Sequence, residues 1–137
     1  MHTARKPESS PSWARRLDRA LEGEVDTSPL ARRLYSRDAS IYEEEPLGVV
    51  RPRHLEDCRV LVAMAREAQF SLIPRGGGTS LAGQCVGPGL VVDCSRHMDR
   101  ILELAPESGR AWVEPGVIQD DLNDAAAAGH AFFAPDT

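Results

Sequence analysis

Apolar and polar positions along this chain alternate with two periods, one helical and one of strand length. From Ser12, the run "SWARRLDRALEGE" sets Trp13, Leu17, Ala20 and Leu21 on one face, the spacing of an amphipathic helix. Ser12 is its expected N-cap. "SPLARRLYS" predicts a second helix, with Ser28 as cap and Pro29 at the first helical position. A connector, "RDASIYEEEPLG" at 37–48, carries the acidic turn Glu43–Glu45. "GVVRP", 48–52, is a short buried strand. Leu55, Cys58, Leu61, Val62, Ala65 and Ala68 then recur at helical intervals, which predicts a helix over 55–69. Glu56 and Asp57 stand in its first turn, where the helix dipole favours acids. "SLIP", 71–74, and "GLVVDCS", 89–95, are two further strands. "RILEL", 100–104, and "RAWVEP", 110–115, flank "APESG" as a hairpin with a five-residue loop. "VIQDDLNDAAAAG", 117–129, is helical through Ile118, Leu122, Ala125 and Ala126, with Gly129 as C-terminal cap. "HAFFAPDT" opens another extended segment, while residues 1–11, polar and proline-bearing, form a mobile tail.

Strand, helix and strand over 48–74 make a βαβ unit, so its strands run parallel with a right-handed crossover. The fold class expected is α+β: a small parallel βαβ-type sheet flanked by helices, then a hairpin and helix that begin a second subdomain. Its core is Val49, Val50, Leu61, Val62, Leu72, Ile73, Val91 and Val92. Residues 1–34 are read as tail and helical segment. Residues 35–137 are read as the first part of a domain that continues beyond the chain, because Pro135-Asp136-Thr137 carries no sign of a natural terminus.

Charge and cysteine content narrow the function classes. A net charge of −5 argues against a general nucleic-acid binder. Residues 1–37 carry eight Arg or Lys against five acids, read as a solvated helical face. No run resembles a signal peptide or a membrane span. Three cysteines at wide spacing fit neither a disulfide framework nor a zinc motif. Cys58 and Cys94 lie on apolar faces as buried thiols, which points to a reducing, cytoplasmic compartment, and Cys85 is exposed in a glycine-rich loop.

That loop, "RGGGTSLAGQ" at 75–84, holds six Gly, Ser or Thr in ten residues. It leaves the carboxyl end of a parallel strand, where open α/β sheets place ligands. A Walker A loop needs a lysine, and the chain's one lysine is Lys6. A Rossmann fingerprint needs a third glycine or alanine where Leu81 stands, and a following helix for which there is no room before Leu90. There remains a loop whose own N–H groups converge on an anion. Thr79 and Ser80 would add hydroxyls, and Arg75 a positive charge at the rim. A purely structural turn is the other reading of such a cluster, although turns seldom need ten residues of this composition.

"PRGGGTSLAGQ" resembles the FAD pyrophosphate loop of the vanillyl-alcohol oxidase type of flavoprotein, with the PCMH-type FAD-binding domain. "RDASIYEEEPLGVVRP", "LVVDCSRHMDRILEL", "VEPGV" and "FFAPDT" resemble successive landmarks of that family, in order, from about residue 35 onward. Its closest branch by resemblance is the D-lactate, glycolate and D-2-hydroxyglutarate dehydrogenases, including large members with iron–sulfur motifs further along. The resemblance implies that backbone groups of Arg75, Gly76, Gly77, Gly78, Thr79 and Ser80, with Gly83 and Gln84, hold the FAD pyrophosphate and ribityl. Pro135, Asp136 and Thr137 would approach the flavin. Thr79 stands where some relatives attach FAD through a histidine, so the FAD is expected to be non-covalent. A 2-hydroxy-acid substrate and an electron acceptor would be served by the full-length protein, whose catalytic and metal-binding side chains lie beyond this chain. No catalytic or metal role is assigned to His54, a cap or surface residue, nor to His97 or His130. Asp93 is read as a loop-capping carboxylate. The alternative is a non-catalytic module holding another phosphorylated ligand, and a third reading is that the chain only folds.

Overall fold

The structure, a computed structural model, describes residues 11–135. The N-terminal tail, Pro11 apart, and the site candidates Asp136 and Thr137 lie outside the described residues. In chain order the elements are α1 (Ser12–Ala20), β1 (Glu24–Asp26), α2 (Pro29–Leu34), β2 (Gly48–Arg51), α3 (Leu55–Ala68), β3 (Leu72–Arg75), β4 (Leu90–Asp93), β5 (Ile101–Ala105), β6 (Arg110–Val113) and α4 (Gln119–Ala127). No helix among the described residues is long and apolar enough to cross a membrane.

β1 to β4 form one sheet in the order β1-β2-β4-β3. β2 and β3 run parallel as expected, but each pairs with β4, which lies between them. Every residue of β4 is buried, so it needs a neighbour on each side and a cover on each face. β3 carries Pro74, which lacks an N–H, and stands at the edge. β1, unforeseen in the sequence, closes the other edge by antiparallel pairing with β2. Side chains alternate across the sheet with period two. Val50, Leu90 and Val92 face Leu17, Leu21, Leu61 and Met64 from α1 and α3. Val49, Ile73 and Val91 face Ala31 and Tyr35 on the other side.

Several expectations shift in phase. α1 is capped by Pro11 without a side-chain bond, and Ser12 is already helical. Ala14, not Ala20, completes its buried face. On α3 the inward residues are Asp57, Leu61, Met64 and Ala65, while Leu55 and Val62 are largely exposed, at 59% and 60%. The face turns because Asp57 is satisfied inside: its carboxylate accepts from Glu22 N at 3.0 Å and Arg53 N at 2.8 Å. Leu72 is only half-buried on its edge strand.

β5 and β6 form a separate antiparallel pair. Ala105 belongs to β5, so the loop is the four residues 106–109, a 3-10 turn closed by Gly109 at φ 65°. α4 ends at Ala127, and the left-handed residue beyond it is His130 (φ 55°) rather than Gly129. Gly129 instead lets α4 touch the hairpin, since a Cβ there would strike the ring of Pro106.

Candidate functional site

Three parallel strands end in charged residues side by side. β2 ends at Arg51, β4 at Asp93 and β3 at Arg75, with Arg75 and Asp93 in register. Asp93 caps the strand's exit by accepting from Ser95 N at 2.9 Å and Ser95 Oγ at 2.6 Å. Tyr35 donates its hydroxyl to Asp93 Oδ2 at 2.5 Å, and Arg51 Nε lies 3.9 Å from the same oxygen. Burial pushes Asp93 upward, but the Ser95 and Tyr35 hydroxyls and Arg51 outweigh it, so the carboxyl stays below its ordinary range. The same burial, with the bond to Asp93, raises Tyr35.

The glycine loop leaves this edge after Arg75 and is braced from beneath by residues 35–42, the strap. Arg75 Nη1 donates to Arg37 O at 2.7 Å, and its guanidinium lies 5.1 Å from the Tyr35 ring centroid. Ala39 N donates to Gly78 O at 3.0 Å, and Cys85 N to Asp38 Oδ2 at 3.4 Å. Asp38 is held below its ordinary range, first by Ser40 and, at longer reach, by Arg75. Gly78 and Gly83 have φ of 70° and 73°, and a Cβ would meet Arg75 at the first and the Tyr42 ring at the second. Both glycines are therefore demanded by the loop itself.

Gly76 and Gly77 are different. Neither has a left-handed φ, and their Cβ positions meet only Pro115 O at 3.5 Å and Thr79 Cγ2 at 3.6 Å, ordinary contacts. Nothing within the chain excludes a side chain there. Among the described residues, none accepts a hydrogen bond from the N–H of Gly76, Gly77, Gly78, Thr79 or Ser80. Ser80 Oγ turns inward, accepting from Ala82 N at 3.3 Å and Gln84 N at 3.1 Å, and donating to Gln84 Oε1 at 3.3 Å. Thr79 is exposed. Five successive unpaired donors with space above two glycines suit a polyanion such as a diphosphate.

The structure thus brings Arg75 through Ser80, Gly83 and Gln84 into one loop. Pro135 lies apart from it in sequence, exposed at the end of a segment that is fixed to α4 where Phe133 N donates to Asn123 Oδ1 at 2.8 Å. The turn after β6 also approaches the loop, since a Cβ at Gly76 would lie 3.5 Å from Pro115 O. His54 is the N-cap of α3, and His97 pairs at 3.2 Å with Glu24, which is itself the register partner of Arg51 and lies 3.5 Å from its guanidinium. Cys94 is buried, which pushes its thiol up to about 11, whereas Cys58 and Cys85 are half-buried. Sequence reasoning missed Tyr35, Asp38, Tyr42 and Arg51. One signal could have found Arg51: "VVRP", "LIPR" and "VVDC" each put a charge at the strand's last position.

Residues 46–137 match the FAD binding domain family. D-2-hydroxyglutarate dehydrogenase of Escherichia coli (strain K12) is 43% identical over 117 residues, which cover 83% of this chain and 12% of that protein. Glycolate oxidase subunit GlcD of Bacillus subtilis (strain 168) is 35% identical over 113 residues, covering 81% and 24%. The chain therefore spans less than a quarter of the length of these relatives. Among solved structures, alkyldihydroxyacetonephosphate synthase superposes with a TM-score of 0.74 at 20% identity, covering 89% of this chain and 28% of that one. p-Cresol methylhydroxylase with substrate bound does so with a TM-score of 0.73 at 18% identity, covering 86% and 24%, and both likenesses show the fold. On the match over residues 46–137, the chain belongs to the FAD binding domain family.

Proposed function

We propose that this chain is the pyrophosphate-gripping segment of an FAD-dependent dehydrogenase for a D-2-hydroxy acid of the D-lactate, glycolate or D-2-hydroxyglutarate class. The observation that carries the reading is the row of unpaired N–H groups over 76–80, with open space at Gly76 and Gly77, where the chain itself does not require glycine. These donors would hold the diphosphate, with Gly83 and Gln84 closing the loop toward the ribityl. Pro135, Asp136 and Thr137 would lie toward the flavin. Bound FAD supplies the redox chemistry and the protein supplies binding and orientation. Thr79 offers no imidazole, so acid or heat should release the flavin.

The substrate class is carried by the likeness to D-2-hydroxyglutarate dehydrogenase and GlcD. The electron acceptor belongs to the whole protein. The chain alone is expected to bind FAD weakly, because one loop grips the diphosphate and little encloses the flavin, and to show no turnover. Flavin fluorescence titration and dye reduction with D-lactate, glycolate and D-2-hydroxyglutarate test this. Saturable FAD binding with no dye reduction is the expected result. Absence of binding would favour the reading that the chain by itself only folds, and turnover would overturn the assignment of catalytic groups to the rest of the protein.

A further inference from the structure

Arg75 was expected at the rim of the loop as a charge for the phosphate. Among the described residues no carboxylate forms a close ion pair with it, although Asp38 feels its charge at longer reach and Asp93 is its register partner. The guanidinium is instead held in a stack of contacts. The Tyr35 ring centroid lies 5.1 Å from Cζ. Gly78 is so near that a Cβ there would come within 2.5 Å of Nη2 and 2.8 Å of Cζ. Nη1 is spent on Arg37 O at 2.7 Å. Tyr35 is anchored twice, by packing against Ala31, Val49, Ile73 and Val91 and by its bond to Asp93. The stack therefore runs from the core of the sheet, through Tyr35 and Arg75, to the backbone of the loop.

We propose that Tyr35 is a positioning residue for the glycine loop, acting through Arg75. The ring sets the plane of the guanidinium, and the guanidinium fixes Gly78 and so the direction of the N–H groups of 76–80. Arg75 shapes the loop and does not meet the phosphate. The FAD reading supplies only the identity of the ligand, and the stack is independent of it. A planar guanidinium stacks and forks at once, which an ammonium does not. Arg75→Lys therefore separates shape from charge.

The test measures amide exchange in the free chain and FAD affinity at low and high salt, for wild type, Tyr35→Phe, Tyr35→Leu, Arg75→Lys and Arg75→Met. The reporting amides are Ala39 and Cys85, which join strap to loop. Arg75→Lys and Tyr35→Leu should each speed their exchange roughly tenfold, the scale of a lost cation–π contact. Val91 and Val92 in β4 should keep the wild-type rate, and Tyr35→Phe, which keeps the ring, should stay near wild type. FAD affinity should fall by a similar factor in Arg75→Lys with an unchanged salt dependence, because no phosphate-bound charge was lost. The double variant Tyr35→Leu/Arg75→Lys should be no worse than either single one. Two results overturn the proposal: wild-type exchange in Arg75→Lys, or wild-type FAD affinity in Arg75→Lys with loss of affinity and of salt dependence in Arg75→Met. A wild type without FAD affinity favours the reading that the chain by itself only folds, and the exchange rates still decide the stack. Should Tyr35→Leu also loosen β4, Arg75→Lys decides alone, since Arg75 lies outside the core clusters.

Discussion

Neighbouring glycines of the loop answer to different constraints. Gly77 has an ordinary φ and room for a Cβ, so Gly77→Val should change stability by no more than about 0.5 kcal/mol while removing FAD affinity. Gly78→Ala meets both a left-handed φ and the Arg75 guanidinium, and should cost about 1–2 kcal/mol. Urea unfolding and FAD titration of the two variants check this; equal destabilisation would contradict it. Asp93 gives a pH dependence. Its folded value lies below the ordinary 3.8, against burial, through Ser95, Tyr35 and Arg51. Its contribution is therefore present above the ordinary carboxylate range and lost as pH falls through the lower, folded value. Asp93→Asn should cost on the order of 1–3 kcal/mol at neutral pH, with the gap to wild type narrowing below about pH 4. A gap that widens in acid would refute the assignment. The glycine run was legible because glycines declare themselves. The Tyr35–Asp93 bond was not, because it joins residues 58 apart in sequence.

At the scale of elements, periodicity located every strand and helix of the described chain except β1. "EVD" is too short and too polar to show a period, and it becomes a strand only because β2 offers it a free edge. The face of α3 was misread for a related reason. An acid in the first turn counts as solvated in a sequence pattern, yet Asp57 turns inward because two backbone donors await it. Leu61 then becomes the centre of the buried face and Val62 falls outside it. α1 packs on α3, with the Trp13 and Phe70 ring centroids 5.4 Å apart. Leu17, fully buried, ties both helices to the sheet. Leu17→Ala should cost about 2–5 kcal/mol. Thermal unfolding measures it, and a loss below about 0.5 kcal/mol, the scale of a surface substitution, would mean that α1 is not part of this core.

For the molecule as a whole, the sheet with its two covered faces holds the core, and its parallel strands deliver Arg75, Asp93 and Arg51 to one end. The hairpin and α4 enclose an apolar groove of about 650 Å³ lined by Trp112, Val113, Val117, Leu122 and Phe133. Trp112 and Phe133 remain 69% and 52% exposed. The sheet thus buries its apolar faces within the chain, while the hairpin and α4 leave theirs largely open. Binding and orientation should accordingly concentrate at the loop that leaves the sheet after Arg75. The most direct measurement follows the backbone amide resonances of the chain while FAD is added, with riboflavin, which lacks the diphosphate, as control. The account predicts large FAD-dependent shifts at Gly76, Gly77, Gly78, Thr79 and Ser80, and none there with riboflavin. FAD-dependent shifts confined to the groove of the hairpin and α4, with the loop amides unmoved, would contradict it.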